Sequence, residues 1–352
     1  MTENKTVLVG MSGGVDSSVT AALLLQQGYQ VIGITLKVAP DIGFPAADAK
    51  VVCDFLGVRH YVLDACAAFH ETVIQNFKSE YLCGRTPNPC VLCNRHIKFR
   101  YMMNALADFG AAYLATGHYA GIDYCPKTNR YLLSRSEADK KDQTYFLYAL
   151  EQEQLAHSLF PLRTYTKEMV RDMAKQLSIP TAEKPDSQEV CFIPDNDYIR
   201  YLHDNTDTPE SSGNFVTTEG QILGIHRGIS NYTVGQRKGL GIAVNRPVYV
   251  LSIDTSRNEI ILGNEEDLYH RELLIRNWSF IPFAELTAPL PVTAKIRYAA
   301  KEAPATIQPV IGNLECVRVT FSEPQKSITP GQSAVFYDGN IIVGGGVIDR
   351  AL

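Results

Sequence analysis

A loop rich in glycine and serine, SGGVDSS from Ser12 to Ser18, has the residue types of an anion-binding site. Its glycines let backbone N–H groups converge on a phosphate, and a helix starting there adds a favourable dipole. The loop lacks the Gly-Lys-Ser/Thr ending of the Walker pattern, which favours a pyrophosphate site. We expect Ser12, Ser17 and Ser18 to donate to phosphate and Asp16 to be available for Mg²⁺. The alternative is a glycine-rich turn before a capped helix.

Two cysteines three residues apart, Cys90 and Cys93, lie in a second polar segment, GRTPNPCVLCNRHIKF. On a helical turn their side chains share one face. Nearby positive charge predicts a lowered thiol pKa and a reactive cysteine. One CxxC could be half of a zinc site, but no second CxxC or His pair follows at finger-like spacing. The basic residues in and beside the segment are Arg85, Arg95, Lys98 and Arg100.

A third cysteine, Cys191, ends the polar part of KPDSQEVCFI. An isolated cysteine before Phe-Ile is usually a small buried hydrophobe. The polar run before it favours a site loop instead. The cysteines without a motif around them, which we expect to serve packing, are Cys53, Cys66, Cys125 and Cys316.

The elements that must position these residues alternate between strand and helix in the first half of the chain. This alternation predicts a doubly wound α/β domain that binds nucleotide at the carboxyl ends of its parallel strands. The predicted strands cover residues 6–10, 31–36, 59–63 and 112–115, and the predicted helices cover 16–27, 46–56, 68–81 and 99–109.

After about residue 203 the sequence changes to glycines and β-branched residues, with few helical patterns. Short alternating strands with Gly and Pro turns predict small β domains, a barrel or a sandwich. Predicted strands include 249–253, 292–298, 314–319 and 333–337. We therefore predict three domains: a nucleotide-binding α/β domain at 1–203, a small β-rich domain at 204–272 and a second β domain at 273–352.

The composition limits the class of protein. The 352 residues are 45% hydrophobic and 20% charged, with a net charge of −5, which argues against holding nucleic acid by bulk positive charge but leaves a local basic surface open. No run is long enough to span a membrane, and the N-terminal residues do not resemble a signal peptide. We expect a cytoplasmic protein, monomeric, whose eight cysteines are not a disulfide framework.

Seven segments in order along almost the whole chain resemble the tRNA-specific 2-thiouridylase family, which belongs to the PP-loop ATP pyrophosphatases. The resemblance implies a PP-loop domain of the adenine nucleotide alpha hydrolase type, a small central β-rich domain and a C-terminal β-barrel. The segments are GMSGGVDSS, GRTPNPCVLCNRHIKF, ATGHYA, KDQTYFL, KPDSQEVCFI, YTVGQRKGLGI and TPGQSAVFYDG.

The resemblance also implies a reaction. The family uses ATP to adenylate the C2 oxygen of the wobble uridine in tRNAs for Lys, Glu and Gln, and replaces that oxygen with sulfur, releasing AMP and pyrophosphate. The residue matching Cys191 carries a persulfide received from a cysteine desulfurase or a relay carrier. The residue matching Cys93 is the partner nucleophile, and the two end each turnover as a disulfide.

Further site residues carry over by position from the same family. The target base must leave the anticodon stack to reach the cysteines, so base flipping is expected. Residues matching ATP contacts are Gly10, Met11, Ser12, Gly13, Gly14, Val15, Asp16, Ser17, Leu36 and Gly117. Residues matching tRNA contacts are Asn88, Pro89, Cys90, His118, Lys141, Asp142, Gln143, Arg297, Tyr298 and Gln332.

The chain departs from the family at Cys90, where well-known members have Asp. With Cys93 and Cys191 it would make three cysteines around one site, which resembles tRNA thiolases that hold a 4Fe–4S cluster with one open iron. In that alternative, sulfide on the open iron delivers the sulfur. Two remoter alternatives are a PP-loop amidotransferase acting on a small metabolite and a tRNA-binding protein that uses ATP only structurally.

Overall fold

The computed structural model describes residues 5–39, 46–138, 141–185, 190–193, 195–206, 211–244 and 246–352. Its strands are β1 (Thr6–Gly10), β2 (Gln30–Lys37), β3 (Arg59–Asp64), β4 (Tyr113–Ala115), β5 (Ala120–Cys125), β6 (Arg130–Arg135), β7 (Ser158–Leu159), β8 (Gly213–Thr217), β9 (Ile222–His226), β10 (Tyr249–Asp254), β11 (Glu259–Gly263), β12 (Tyr269–Phe280), β13 (Leu290–Lys295), β14 (Ala303–Val310), β15 (Asn313–Lys326), β16 (Ser333–Asp338) and β17 (Ile341–Ala351). Its α-helices are α1 (Val15–Gln26), α2 (Ala46–Leu56), α3 (Cys66–Phe69), α4 (Gln75–Leu82), α5 (Pro89–Leu92), α6 (Phe99–Ala105), α7 (Gln152–Ala156), α8 (Lys167–Gln176) and α9 (Tyr198–Asp204).

The first sheet is parallel, with strand order β3-β2-β1-β4-β7. Its central strand β1 is apolar and has no exposure at Val7, Leu8 and Val9, because helices cover both faces of a doubly wound sheet. The chain leaves the carboxyl end of β1 through residues 11–14 and enters α1 at once. This confirms the predicted parallel α/β fold and sets the glycine-rich loop at the edge where such sheets bind ligands.

The second half of the chain is almost entirely β. A four-stranded sheet, β10-β11-β8-β9, precedes a larger sheet in the order β12-β15-β14-β13-β16-β17-β6-β5. The additional pairing of β12 with β17 closes six of those strands into a barrel, as predicted. The domain limits 1–203, 204–272 and 273–352 stay predictions.

One hairpin connects two regions that the sequence analysis assigned to different domains. The hairpin β5–β6 belongs to the first half of the chain, yet β6 pairs with β17 of the barrel through Ser134 and Ile341. The guanidinium of Arg135 reinforces this junction, 2.7 Å from Glu302 and 4.0 Å from the ring centroid of Tyr337. The barrel is therefore built onto the nucleotide-type domain.

Three element predictions need correction. The helix predicted at 68–81 is three consecutive segments, in which a π-helical turn, His70–Ile74, joins α3 to α4. The helix predicted at 99–109 ends at Ala105 and is preceded by a second π-helical turn, Cys93–Lys98. The strand predicted at 292–298 ends at Lys295. In the described ranges, no helix combines the length and apolar character needed to cross a membrane.

Candidate active site

The loop after β1 is compact because two glycines touch other backbone. Gly13 has φ +68°, and a Cβ there would lie 2.5 Å from Cβ of Asp48 and 2.9 Å from the nitrogen of Ala49. At Gly117, which follows β4, a Cβ would lie 2.8 Å from the carbonyl carbon of Asp16. Neither position accepts a larger residue without moving the loop, so these glycines set how closely α2 and the β4 end approach it.

Hydroxyl groups of the loop mostly stabilise the loop itself. Ser17 and Ser18 both donate to the carbonyl of Gly14, at 3.1 and 2.8 Å. Ser18 is fully buried, so the prediction that it donates to phosphate is wrong. The hydroxyl oxygens of Ser12 and Ser17 lie 3.2 Å apart at the loop surface, where Ser12 is exposed. Residues 12–17, together with the start of α1, keep the geometry of an anion cradle.

Asp16 takes part in an ion pair that the sequence did not predict. Its Oδ1 accepts from Nζ of Lys167 at 2.6 Å and from the hydroxyl of Tyr119 at 2.8 Å. The Lys167 side chain is 9% exposed and starts α8, while Tyr119 follows the β4 end. No local motif marks either residue, because their relation to Asp16 exists only in the folded sheet. The pair neutralises a carboxylate that would otherwise repel phosphates.

The other predicted nucleotide contacts lie at the carboxyl ends of β1 and β2. Met11 is buried, and its N–H extends the ladder to Ile34 at 2.7 Å. The hydroxyl of Thr35 donates to the carbonyl of Met11 at 2.7 Å, so Nε2 of His60, 2.8 Å away, must carry its own proton and donate to Thr35. Burial lowers the pKa of His60, which agrees with a neutral ring. Gly10 and Leu36 lie at these same strand ends.

The segment around Cys90 and Cys93 is helical but not electrostatically activated. Cys93 is 7% exposed, and desolvation raises its pKa to about 12 despite the lowering effect of Lys98. Solvent reaches Cys90, yet desolvation by the surrounding protein also raises its pKa. The predicted lowering of thiol pKa is therefore wrong: at these two thiols the removal of water outweighs the attraction of one nearby cation.

The other predicted cations are paired elsewhere. Arg95 and Arg100 both bind Glu151, with shortest distances of 3.1 and 2.6 Å, and these pairs lower the carboxyl pKa of Glu151 against its desolvation. Arg85 binds Glu80. Lys98 is the cation that interacts with all three thiols: desolvation lowers its pKa, but Cys93, Cys90 and Cys191 together raise it more. Charge counting along the sequence could not distinguish paired arginines from this lysine.

A short described stretch, 190–193, places Cys191 near Cys93 and Lys98. The next two residues, Phe192 and Ile193, are buried in one apolar cluster with Cys93, and the Phe192 ring packs on Phe77 at 5.2 Å between centroids. Solvent reaches Cys191, and desolvation raises its thiol pKa while Lys98 lowers it. Apolar anchoring thus brings Cys191 beside Cys93. Residues 186–189 of the KPDSQEVCFI motif lie outside the described residues.

His118 lies near Lys98 and stays neutral. Its ring stacks on Phe99 at 6.0 Å between centroids, and Nδ1 lies 2.8 Å from the hydroxyl of Thr116. Burial, with the charge of Lys98, lowers the pKa of His118 to about 3. A neutral ring on an aromatic support suits contact with an uncharged base better than contact with phosphate.

Hydrogen bonds hold several of the remaining residues predicted to contact tRNA. The Asn88 side chain bonds to the hydroxyl of Tyr145. Gln143 is fixed by hydrogen bonds with the backbone of Tyr119 in both directions, and Asp142 accepts from Thr144. Lys141 begins this turn, and Pro89 is the first residue of α5.

The barrel places an exposed aromatic ring beside these residues. Tyr298 is 41% exposed and packs on Phe146 at 4.7 Å, beside Arg297 in the turn after β13. Gln332, also from the barrel, donates its amide to the carbonyls of Thr86 and Pro87. The structure thus brings together residues of four predicted tRNA segments that are far apart in sequence.

A metal site of three or more protein ligands is not formed by the described residues, a set that includes Cys90, Cys93 and Cys191. The charge of Lys98 acts on all three cysteines, and all eight cysteines are free thiols.

Comparisons with known proteins agree along the full length. Family models described as a tRNA methyl transferase HUP domain, a tRNA methyl transferase PRC-barrel domain and an aminomethyltransferase beta-barrel domain match residues 5–195, 203–264 and 270–348. The chain is 52% identical to tRNA-specific 2-thiouridylase MnmA of Acetivibrio thermocellus, over 98% of this chain and 99% of that protein. The protein of the same name from Clostridioides difficile is 48% identical, over 99% of both chains.

Several solved structures resemble part of this fold. A 4-thiouridine synthetase–RNA complex with bound ATP gives a TM-score of 0.39 and 16% identity, covering 57% of this chain and 50% of that one. This similarity is too remote to support a functional argument. The full-length relatives are the informative comparison, because this chain matches 99% of each of them.

Proposed function

The chain belongs to the family of tRNA-specific 2-thiouridylases, and from that premise we propose that it replaces the C2 oxygen of the wobble uridine in tRNA with sulfur at the expense of ATP. The proposed substrates are the tRNAs for Lys, Glu and Gln. The observation that carries the proposal is that Cys90, Cys93, Cys191 and His118 all lie within reach of the charge of Lys98, and that Gly117, next to His118, touches the anion loop at Asp16.

The first step makes oxygen a leaving group. Residues 10–17 cradle the phosphates, with Leu36 and Gly117 beside the nucleotide. The C2 oxygen attacks the α-phosphorus of ATP, an O–P bond forms, and pyrophosphate leaves. The loop supplies backbone N–H groups and the start of α1 for the charge that develops on the phosphates. Neutral His118 stacks near the uncharged base without competing for phosphate.

The second step transfers sulfur. The terminal sulfur of a persulfide on Cys191 attacks C2, and AMP leaves with the former carbonyl oxygen. Cys93 then attacks the sulfur of Cys191, which breaks the S–S bond, releases 2-thiouridine and leaves a Cys93–Cys191 disulfide; the proton of the Cys93 thiol passes to the departing 2-thiouridine. A thiol reductant must reduce this bond before another turnover. Lys98 supplies the positive charge that faces each sulfur anion.

The proposed cofactor is Mg²⁺. It would be held mainly by ATP phosphates with Asp16 as the protein carboxylate, as Mg²⁺ usually keeps few protein ligands. Because Lys167 and Tyr119 both donate to Oδ1 of Asp16, Oδ2 is the atom that could face the ion. Mg²⁺ would offset phosphate charge. No step is assigned to an iron–sulfur cluster, because the described residues form no group of three or more metal ligands.

The decisive experiment measures the modified nucleoside directly. Unmodified tRNA is incubated with the protein, ATP, Mg²⁺ and a cysteine desulfurase with cysteine, then digested and analysed by mass spectrometry. We expect 2-thiouridine in equal amount to AMP and pyrophosphate. Cys191→Ser and Cys93→Ser should abolish the product, whereas Cys125→Ser, on the remote strand β5, should retain it.

Other outcomes separate the alternatives. Absence of 2-thiouridine under aerobic and anaerobic conditions contradicts the proposal. If product forms only with anaerobic protein that contains stoichiometric iron and sulfide, the iron–sulfur route is supported and the persulfide route is contradicted. Pyrophosphate release without RNA would favour an amidotransferase, and tRNA binding without pyrophosphate release would favour a binding protein.

A further inference from the structure

The segment that leads into Cys90 and Cys93 is held by the C-terminal barrel. The N–H of Thr86 donates to the carbonyl of Pro330 at 2.8 Å. The amide of Gln332 donates to the carbonyls of Thr86 at 3.0 Å and Pro87 at 3.3 Å. These bonds come from the turn between β15 and β16, so the backbone of the segment finds its partners more than 240 residues away.

The turn and the segment meet backbone to backbone at Gly331. Its φ is +90°, and a Cβ built there would lie 2.8 Å from both the nitrogen and the oxygen of Thr86. Real Cβ atoms do not approach other heavy atoms that closely, so a residue with a side chain would push Thr86 away. Thr86 can therefore approach the turn this closely only because Gly331 has no Cβ.

Arg85 locks the same junction from the other side. Its Nε lies 2.8 Å from Glu80 at the end of α4, and its two terminal nitrogens donate to the carbonyls of Ile348 at 3.0 Å and Asp349 at 3.2 Å. The Ile348 carbonyl also accepts the N–H of Gly331 at 2.9 Å. One carbonyl thus joins the arginine to the glycine turn. Lysine could not reproduce this set, because it lacks the planar fork of donors.

We propose that Gly331 and Arg85 are positioning residues for sulfur transfer: the barrel sets where Cys90 and Cys93 stand, in addition to any contact it makes with RNA. The inference rests on the proposed function. Only Pro87, Asn88 and Pro89 separate Thr86 from Cys90, and α5 carries any displacement on to Cys93. A misplacement of about 1 Å near reacting groups can lower the rate roughly 100-fold.

The test compares two glycines of the barrel that share a left-handed backbone. Gly312 has φ +79° in the β14–β15 turn, but a Cβ there meets no atom within 4 Å. Gly331→Ala and Gly312→Ala therefore carry similar backbone strain, and only the first presses on Thr86. We expect kcat for 2-thiouridine formation to fall roughly 100-fold in Gly331→Ala, with the KM for ATP unchanged. Gly312→Ala should remain close to wild type in both constants.

A second readout does not depend on catalysis. Iodoacetamide labelling of Cys90, mapped by peptide mass spectrometry without ATP or tRNA, reports where the segment lies. Gly331→Ala and Arg85→Lys should change the Cys90 labelling rate by several-fold and leave that of Cys125 unchanged. Arg85→Lys decides the question if circular dichroism shows that Gly331→Ala does not fold.

The inference is overturned if both variants label Cys90 at the wild-type rate and turn over as fast as Gly312→Ala. If wild-type protein makes no 2-thiouridine, the proposed function fails, and the labelling result still decides whether the barrel positions the cysteine segment.

Discussion

The nucleotide loop and the cysteine segment are both short turns that start helices, but they are held in opposite ways. The loop is held inside its own sheet domain, by serines bonded to Gly14 and by Gly13 against α2. The cysteine segment depends on barrel residues more than 240 positions away. Damage to one should therefore leave the other intact, which four predictions test.

The largest expected effect concerns the reactivity of Cys93. Because its pKa is raised to about 12, the neutral thiol predominates throughout the neutral range and the thiolate fraction grows as pH rises. Iodoacetamide should label folded Cys93 at pH 8 about a thousand times more slowly than an ordinary thiol with a pKa of about 8.5. The rate should rise about tenfold per pH unit up to pH 9.5. A plateau near pH 9, or equal rates in folded and urea-unfolded protein, would contradict the raised pKa.

The next effect concerns the Asp16–Lys167 pair. Lys167→Met leaves an uncompensated carboxylate beside the phosphates, and such a charge about 5 Å away costs roughly 3 kcal/mol at an effective dielectric constant of about 20. ATP affinity, measured by calorimetry, should fall about a hundredfold. An ATP affinity equal to that of the wild-type protein would contradict this role of the pair. Lys175→Met, on the same helix but in an exposed pair with Glu183, is the control.

A smaller effect tests the glycine of the loop. Gly13→Ala forces a Cβ to within 2.5 Å of Asp48 and should cost about 1–3 kcal/mol of overpacking, or roughly tenfold or more in ATP affinity. Gly28→Ala carries similar strain, with φ +82°, but meets no atom within 4 Å. Cys90 labelling should be unchanged in both variants. Altered labelling in Gly13→Ala would show that the two regions are coupled after all.

The smallest effect comes from one bond between the cysteine segment and the four-stranded sheet domain. The hydroxyl oxygens of Thr86 and Thr233 lie 3.2 Å apart, and Thr86→Val removes that bond at nearly constant volume. The lost hydrogen bond stabilises the position of the segment by about 1 kcal/mol, and its removal should lower kcat for thiolation by about fivefold. Thr233→Val removes the same bond from the other side. Unequal effects of the two variants would show that something other than this bond matters.

Sequence reasoning identified the fold and the loop because their signals are local. Buried parallel strands are continuous apolar runs, and SGGVDSS follows the first of them directly. It erred where a local signal needs tertiary context. Ser18 is turned into the interior, and Arg85, Arg95 and Arg100 are paired with carboxylates, so that the positive charge expected around the thiols is reduced to Lys98.

Contacts between distant segments were beyond prediction from one sequence. Nothing near Lys167 indicates Asp16, and nothing near Gly331 indicates Thr86, because each relation requires the sheets to be packed first. The placement of β5–β6 in the barrel sheet is of the same kind, since one strand pairing, Ser134 with Ile341, makes the connection.

The carbonyl of Ile348, which joins Arg85 to the Gly331 turn, has a consequence for how the protein is made. It lies 263 residues after Arg85, so a growing chain on the ribosome can complete its first parallel sheet long before this acceptor exists. A nascent or truncated chain could then hold nucleotide while its cysteine segment remains loose. Competence for sulfur transfer would follow only when the last strand closes the barrel and supplies this acceptor.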